Sequence, residues 1–475
     1  MMHQAHSSSN SDEYSTVESP RMPAEFGQAT AIFVVVAGMV GAGVLTTSGY
    51  TVAAVGSNQW MLVLWVVGGV IALCGALTLA ELSAALPHTG GDFVYLHAAY
   101  GPLPAFLSGW VSFLIGFAGP SAAAAYGFAK YILKPFSIPP EYTIFSERWL
   151  ATTTILIFAL IHVSGRKRTA RMQGWITALK LIGLVAFSLA GVSGGWRNVA
   201  NLADPVPLSG RLVVTMMSSM VYIYYAYTGW NSASYLAGEI KDPQRQLPRA
   251  ILIGTAGVTV LYVAINIVYA LALSAADIRA IIAAPGNRAG FDAVAPIAQL
   301  AAVRLFGSRW SSPLSILFGL MLLSTLSAYV LIGPRVVYAM ARAGQFPAVA
   351  ARLTRHSQTP AVATALQIAV ALVLLWTGSF ESIIVFAGVG LSIFSILAMS
   401  SIYVLRVTQP DLPRPFRTPG YPFTPAVYLL LTALLTAATF YERPRVSALA
   451  LISILAGVPI YYAWRRLGRL LDVVV

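Results

Sequence analysis

Apolar runs of about 20 residues, the length that crosses a hydrocarbon core, recur along nearly the whole chain and are separated by short polar or basic stretches. The pattern predicts twelve membrane-spanning helices, over 28–51, 60–82, 103–132, 149–163, 175–192, 212–236, 250–273, 314–341, 361–376, 383–405, 426–440 and 446–464. The fourth, ninth and eleventh are short and are expected to extend into flanking polar residues. The longest predicted outer loop, 274–309, holds Pro285-Gly286-Asn287 and a moderately apolar half at 293–303, so it is expected to be partly helical and packed over an outer vestibule. Residues 1–23 are polar, rich in serine and poor in aromatics, and read as a disordered cytoplasmic tail. No cleavable signal is visible, because the first apolar run is late, long and without a basic leader.

Composition agrees with this pattern. Of 475 residues 57% are hydrophobic and only 10% charged, too little polar surface for a soluble protein, so the fold class is an all-α polytopic membrane protein. The formal charge of +13 does not point to nucleic acid, since the basic residues collect in short loops. Arg166, Lys167, Arg168 and Arg171, then Lys241, Arg245 and Arg249, fall on one side. Arg342, Arg352 and Arg355, then Arg406, Arg414 and Arg417, and last Arg465, Arg466 and Arg469, fall on the same side. By the positive-inside rule that side is the cytoplasm, which places both termini inside; the membrane is expected to be the plasma (inner) membrane. Cys74 is the only cysteine and lies within a span, so it reads as a packing residue and provides no disulfide to a partner.

Two spans break the pattern. Gly38, Gly41 and Gly43 fall within six residues of the first, each costing up to about 1 kcal/mol against alanine in a helix. A break at mid-membrane depth leaves backbone groups unpaired, which is tolerated only where they line a protein or water cavity. The half-helix that resumes near Val44 would turn N–H groups and a positive dipole end toward a carboxylate or phosphate. The same glycines would also serve close helix packing. The sixth span repeats the theme in Tyr225-Ala226-Tyr227-Thr228-Gly229-Trp230-Asn231. Breaks five spans apart are expected of two structural repeats of inverted topology, here 24–195 and 196–405, with 406–475 as two further helices and a tail. Together they could hold a small zwitterion, its carboxylate on the first break and its ammonium on the sixth.

Three stretches carry a family resemblance: Gly41-Ala42-Gly43-Val44, the sixth-span segment leading into Gly238-Glu239-Ile240-Lys241-Asp242-Pro243, and Pro87-His88-Thr89-Gly90-Gly91-Asp92 after Ala80-Glu81-Leu82. With Pro410-Asp411-Leu412-Pro413-Arg414 they resemble, in the right order, the amino acid/polyamine/organocation transporters, near the prokaryotic relatives of the L-type and cationic amino acid transporters. The resemblance implies a leucine-transporter-like 5+5 inverted repeat with helices 1 and 6 broken. It implies carboxylate binding by Val40, Gly41, Ala42, Gly43 and Val44. Tyr225, Ala226 and Thr228 would supply ammonium-binding carbonyls, with Asn231 a further substrate candidate. Tyr225 stands where the family often has a phenylalanine lid, and Thr228 where it often has glycine, so the lid gains a hydroxyl and the pocket narrows.

Lys180 lies deep in the fifth span, with at least ten mostly apolar residues after it, where a charge costs several kcal/mol unless paired or neutralised. In relatives such a lysine occupies the place of a bound cation and touches the first helix, which implies sodium-independent transport with Lys180 in coupling. Glu81 and Glu239, at inner span ends, read as gating salt bridges, Arg335 as a buried pair or an inward-facing cavity residue, and His162 as a satisfied interfacial histidine. No phosphate loop, zinc spacing or nucleophile triad is present, so neither enzyme activity, a metal nor a cofactor is expected. The expected function is a permease for small, neutral L-amino acids, exchanging or proton-coupled. A cationic amino acid or polyamine exchanger and a non-transporting amino acid sensor remain open alternatives.

Overall fold

The computed structural model describes residue 24 and residues 26–472 apart from 137, 204–205, 285–289 and 379, with backbone alone at 140, 166–168, 170, 380–383 and 467–472. The predicted tail 1–23, the Pro285-Gly286-Asn287 turn and the side chains of Arg166, Lys167, Arg168 and Arg469 lie outside the described residues.

The chain is a helical bundle whose only sheet-like feature among the described residues is an isolated bridge between Phe26 and Ile240. Its helices are α1 (Gln28–Met39), α2 (Ala42–Val55), α3 (Asn58–Ala85), α4 (Asp92–Tyr100) and α5 (Pro102–Leu133). They continue with α6 (Pro140–Ser164), α7 (Arg166–Gly195), α8 (Gly210–Tyr227), α9 (Pro243–Ala272), α10 (Ala275–Ala283), α11 (Ile297–Phe306) and α12 (Ser311–Arg342). The last are α13 (Ala361–Thr377), α14 (Phe380–Thr408), α15 (Phe423–Glu442), α16 (Pro444–Leu455) and α17 (Gly457–Asp472).

Ten helices among the described residues, counting Gln28–Val55 as one, are long and apolar enough to cross a membrane. The sixth and ninth predicted spans are helical but fall outside that set. The sixth stops at Tyr227 and continues as a 3-10 turn over Ser232–Glu239, and the ninth is the 17-residue α13. The fourth and eleventh spans do extend, to Pro140–Ser164 and Phe423–Glu442, whereas α13 ends at Thr377, where Gly378 turns to extended backbone. The outer loop is partly helical, as α10 and α11, and its Asp292 accepts a 2.6 Å hydrogen bond from Tyr50 while Phe291 stacks on the same ring.

Local chemistry sets the helix ends. Ser57 and Ser209 cap α3 and α8 by accepting from Trp60 and Leu212 N–H groups, and Ser274 with Asp277 forms a capping box on α10, each such cap contributing about 1 kcal/mol. Within α5 the ladder loosens into a π-helical stretch at Ser112–Phe117, a feature concentrated at functional sites. The centre is aromatic. Trp65, Tyr227 and Tyr262 meet at 5.0–5.6 Å between ring centroids, directly beside the two breaks.

Candidate functional site

The first break is two residues long. Val40 (φ −77°, ψ 88°) and Gly41 (φ −127°, ψ −153°) leave helical geometry between α1 and α2. The carbonyls of Gly38, Met39 and Val40 therefore lose their helical acceptor roles, and side chains from the surrounding helices take them over. Tyr329 of α12 donates to Gly38 O at 2.7 Å, Tyr262 of α9 to Met39 O at 2.5 Å, and Thr325 of α12 to Val40 O at 2.7 Å. Lys180 of α7 also donates to Val40 O, and its Nζ lies 3.1 Å from Thr325 Oγ1. On the other side of the break Gly41 offers no side-chain cap, so the first N–H groups of α2 remain an anion-directed end.

The second break follows α8. Thr228 is extended (φ −60°, ψ 160°) and Gly229 has φ 100°, left-handed backbone that favours glycine. A Cβ at Gly229 would also collide with the Gly38 carbonyl. The two breaks thus pack backbone to backbone. A Cβ at Gly43 would lie 2.5 Å from Ala226 Cα, so Gly43 serves close packing and also opens the helix. Tyr262 joins the breaks, its hydroxyl lying 3.0 Å from Ala226 O as well as 2.5 Å from Met39 O.

The structure brings Val40, Gly41, Ala42, Gly43, Val44, Tyr225 and Ala226 together and buries all of them. Several of the expected binding groups already have partners. Val40 O is held by Lys180 and Thr325, and the side chain of Val44 is core. Tyr225 O accepts from the Thr228 N–H at 3.1 Å and the Thr228 hydroxyl at 2.6 Å, and Ala226 O from Tyr262. The Asn231 amide nitrogen lies 3.1 Å from Asp92 Oδ2 and 3.3 Å from the Tyr235 hydroxyl, away from the first break's N–H end. Lys180 contacts the first break and α12; the residue bridging both breaks is Tyr262.

The salt bridges expected at one end of the bundle are present. Glu81 takes a bidentate pair from Arg406 at 2.9 and 2.7 Å, Arg414 at 3.6 Å and the Thr418 N–H at 2.6 Å. Glu239 and Arg335, both buried, pair at 3.1 Å. His162 bonds Ser327 at 3.0 Å and is buried rather than interfacial. Cys74 is a free, half-buried thiol. Of the four clustered tyrosines, Tyr227 belongs to the central aromatic group, while Tyr222 accepts from Arg443 at 2.7 Å and Tyr224 meets Tyr428 at 3.4 Å. A cavity of about 1000 Å³ opens at the same end as the salt bridges, lined by His88, Thr89, His97, Gly238, Arg342 and Arg465 among others. Its lining does not reach the breaks, which are packed shut.

Comparison with known proteins shows the family. The sequence profile of the amino acid permeases matches residues 26–462. The chain belongs to the amino acid permease family. This permease is 29% identical over 450 residues to the large neutral amino acids transporter small subunit 2 of Rattus norvegicus, covering 92% of this chain and 80% of that one. It is 27% identical over 446 residues to the serine/threonine exchanger SteT of Bacillus subtilis (93% and 97%), and 26% identical over 432 residues to the human cystine/glutamate transporter (91% and 83%). These relatives are transporters, and the permease is an integral membrane protein of leucine-transporter-like fold rather than an enzyme.

Sequence reasoning missed Tyr262, Thr325 and Tyr329. Each is a hydroxyl in an apolar run, and a tyrosine or threonine at mid-span depth is a signal for an unpaired carbonyl nearby. That signal does not say which carbonyl, because each of the three reaches a first-break carbonyl more than two hundred residues away.

Proposed function

We propose that this permease carries small, neutral L-amino acids by alternating access, without sodium, as an exchanger or with protons. The observation that carries the reading is the meeting of two broken helices with opposite offerings. The N–H end of α2 suits a carboxylate, and the second lone pairs of Tyr225 O and Ala226 O suit an ammonium group. No carboxylate side chain belongs to either break, so a dication lacks its partner there. The activities named for the large neutral amino acid and serine/threonine relatives support the same class.

Gly41, Ala42 and Gly43 act as carboxylate donors, Tyr225 as the lid, and Thr228 as the residue that narrows the pocket. Lys180 supplies a fixed cation where a sodium ion would otherwise be needed, fastening the first break to α12. Glu81 and Glu239 close the inner side with Arg406 and Arg335. The repeats run over 24–195 and 196–405, both termini are cytoplasmic, the membrane is the inner one, and no disulfide-linked partner is used.

Counterflow in proteoliposomes tests this. With sodium absent and one unlabelled amino acid inside, labelled neutral amino acid accumulates when alanine, serine or leucine is loaded. Accumulation only with arginine, lysine or amines overturns the neutral assignment, and binding without flux overturns transport.

A further inference from the structure

Three buried carboxylates sit at the salt-bridge end of the bundle. Glu81 and Glu239 are each paired with arginine. Asp92, the first residue of α4 and only 7% exposed, has no cationic partner among the described residues. Its Oδ2 lies 3.1 Å from Asn231 Nδ2 and 3.2 Å from the Tyr235 hydroxyl, while Oδ1 is buried without a hydrogen bond. The groups that face it are neutral phenols: Tyr95 on its own helix, Tyr235 on the 3-10 turn, Tyr224 on α8 and Tyr428 on α15. A buried carboxylate with one orphaned oxygen and no counter-charge is stabilised by a proton.

We infer that Asp92 is a proton-binding site of the transport cycle, with the proton on Oδ1 and the sixth-helix break responding through Asn231 and Tyr235. This rests on the transport reading for its role, not for the existence of the site. Both contact residues lie on the segment that follows Gly229, so Asp92 grips the inner half of the broken helix. Ionised, it accepts charge-assisted bonds from Asn231 and Tyr235, roughly twice the strength of neutral ones. Protonated, it holds them weakly. Burial supports the site by pushing the Asp92 carboxyl up to about 6, so its charge changes within the working range of a cell. A proton gained there loosens the segment beyond Gly229; a proton lost tightens it.

The test compares wild type, Asp92→Asn and Asp92→Glu in two arms. In lightly buffered detergent solution, a pH-indicator titration of purified protein shows one proton fewer bound across pH 6 in Asp92→Asn, with binding restored at a shifted pH in Asp92→Glu. In proteoliposomes, counterflow KM for a neutral amino acid changes across that pH in wild type, by up to about tenfold per pH unit for one linked proton, and is flat in Asp92→Asn. An Asn variant that keeps the wild-type inflection, or a Lys180→Met variant that loses it instead, overturns the proposal. Should wild type show the titration but no counterflow, the transport reading falls while the proton site stands. If Asp92→Asn does not fold, the shifted inflection of Asp92→Glu decides alone: an unshifted one overturns the site.

Discussion

The hydroxyl of Tyr262 lies 2.5 Å from Met39 O and 3.0 Å from Ala226 O, so one side chain on α9 touches both broken helices. Its single proton can be given to only one of the two carbonyls at a time. Tyr262→Phe leaves the buried Met39 carbonyl without its donor, at a cost of about 1–3 kcal/mol. The expected outcome is a lower Tm and a slower counterflow. Wild-type rates in Tyr262→Phe would show that the hydroxyl is dispensable.

Gly43→Ala and Gly229→Ala place a methyl group where the opposing break already sits. Gly229→Ala adds the strain of a left-handed φ of 100°, about 1–2 kcal/mol. Both variants are expected to lose counterflow, and Gly229→Ala to lose more stability, read as the fraction surviving a heat challenge as a monodisperse peak in gel filtration.

Removing one member of a buried ion pair strands the other. Arg335 is 3% exposed, so Glu239→Gln leaves a buried guanidinium and is expected to cost about 3–5 kcal/mol. Arg406 is 24% exposed and can rehydrate, so Glu81→Gln costs less. A double-mutant cycle with Arg335→Met recovers most of the Glu239→Gln loss; failure to recover would show that Glu239 acts through other partners.

The capping box of α10 makes a pH-dependent contribution outside the membrane. Hydrogen bonds from Ser274 hold the Asp277 carboxyl below its ordinary value of 3.8. A carboxyl depressed in the folded state stabilises it above the unfolded pKa, and that stability is lost as pH falls through the lower, folded value. Thermal unfolding on the acid side of 3.8 is therefore expected to weaken in its pH dependence in Asp277→Asn, while Ser274→Ala costs about 1 kcal/mol near neutral pH.

Much of this architecture is legible in the sequence because membrane helices announce themselves by length. The breaks are legible too, since Gly41 and Gly229 interrupt apolar runs at equivalent places. What hides is long-range pairing. Nothing near Asn231 in the sequence says that its amide meets Asp92, 139 residues earlier, so it reads as a substrate ligand. The residues around Lys180 do not name its partner; the family resemblance points to the first helix, and Val40 O is the atom it reaches. The 3-10 turn after Gly229 is hidden as well, because an apolar run reads as helix wherever tertiary contacts do not intervene. The short α4 is equally silent: nine residues between two glycines look like loop until they pack.

Three successive carbonyls, of Gly38, Met39 and Val40, are held by side chains from three different helices, α12, α9 and α7. Such a fastening behaves as a combination lock, since α1 stays in place until the last of the three carbonyls is released. Motion of α1 then demands loss of all four bonds to these carbonyls, two of them on Val40 O, which is enthalpically steep and gives the turnover rate a strong dependence on temperature. Substituting one donor removes one tumbler, and the Arrhenius slope should flatten even where the rate itself falls.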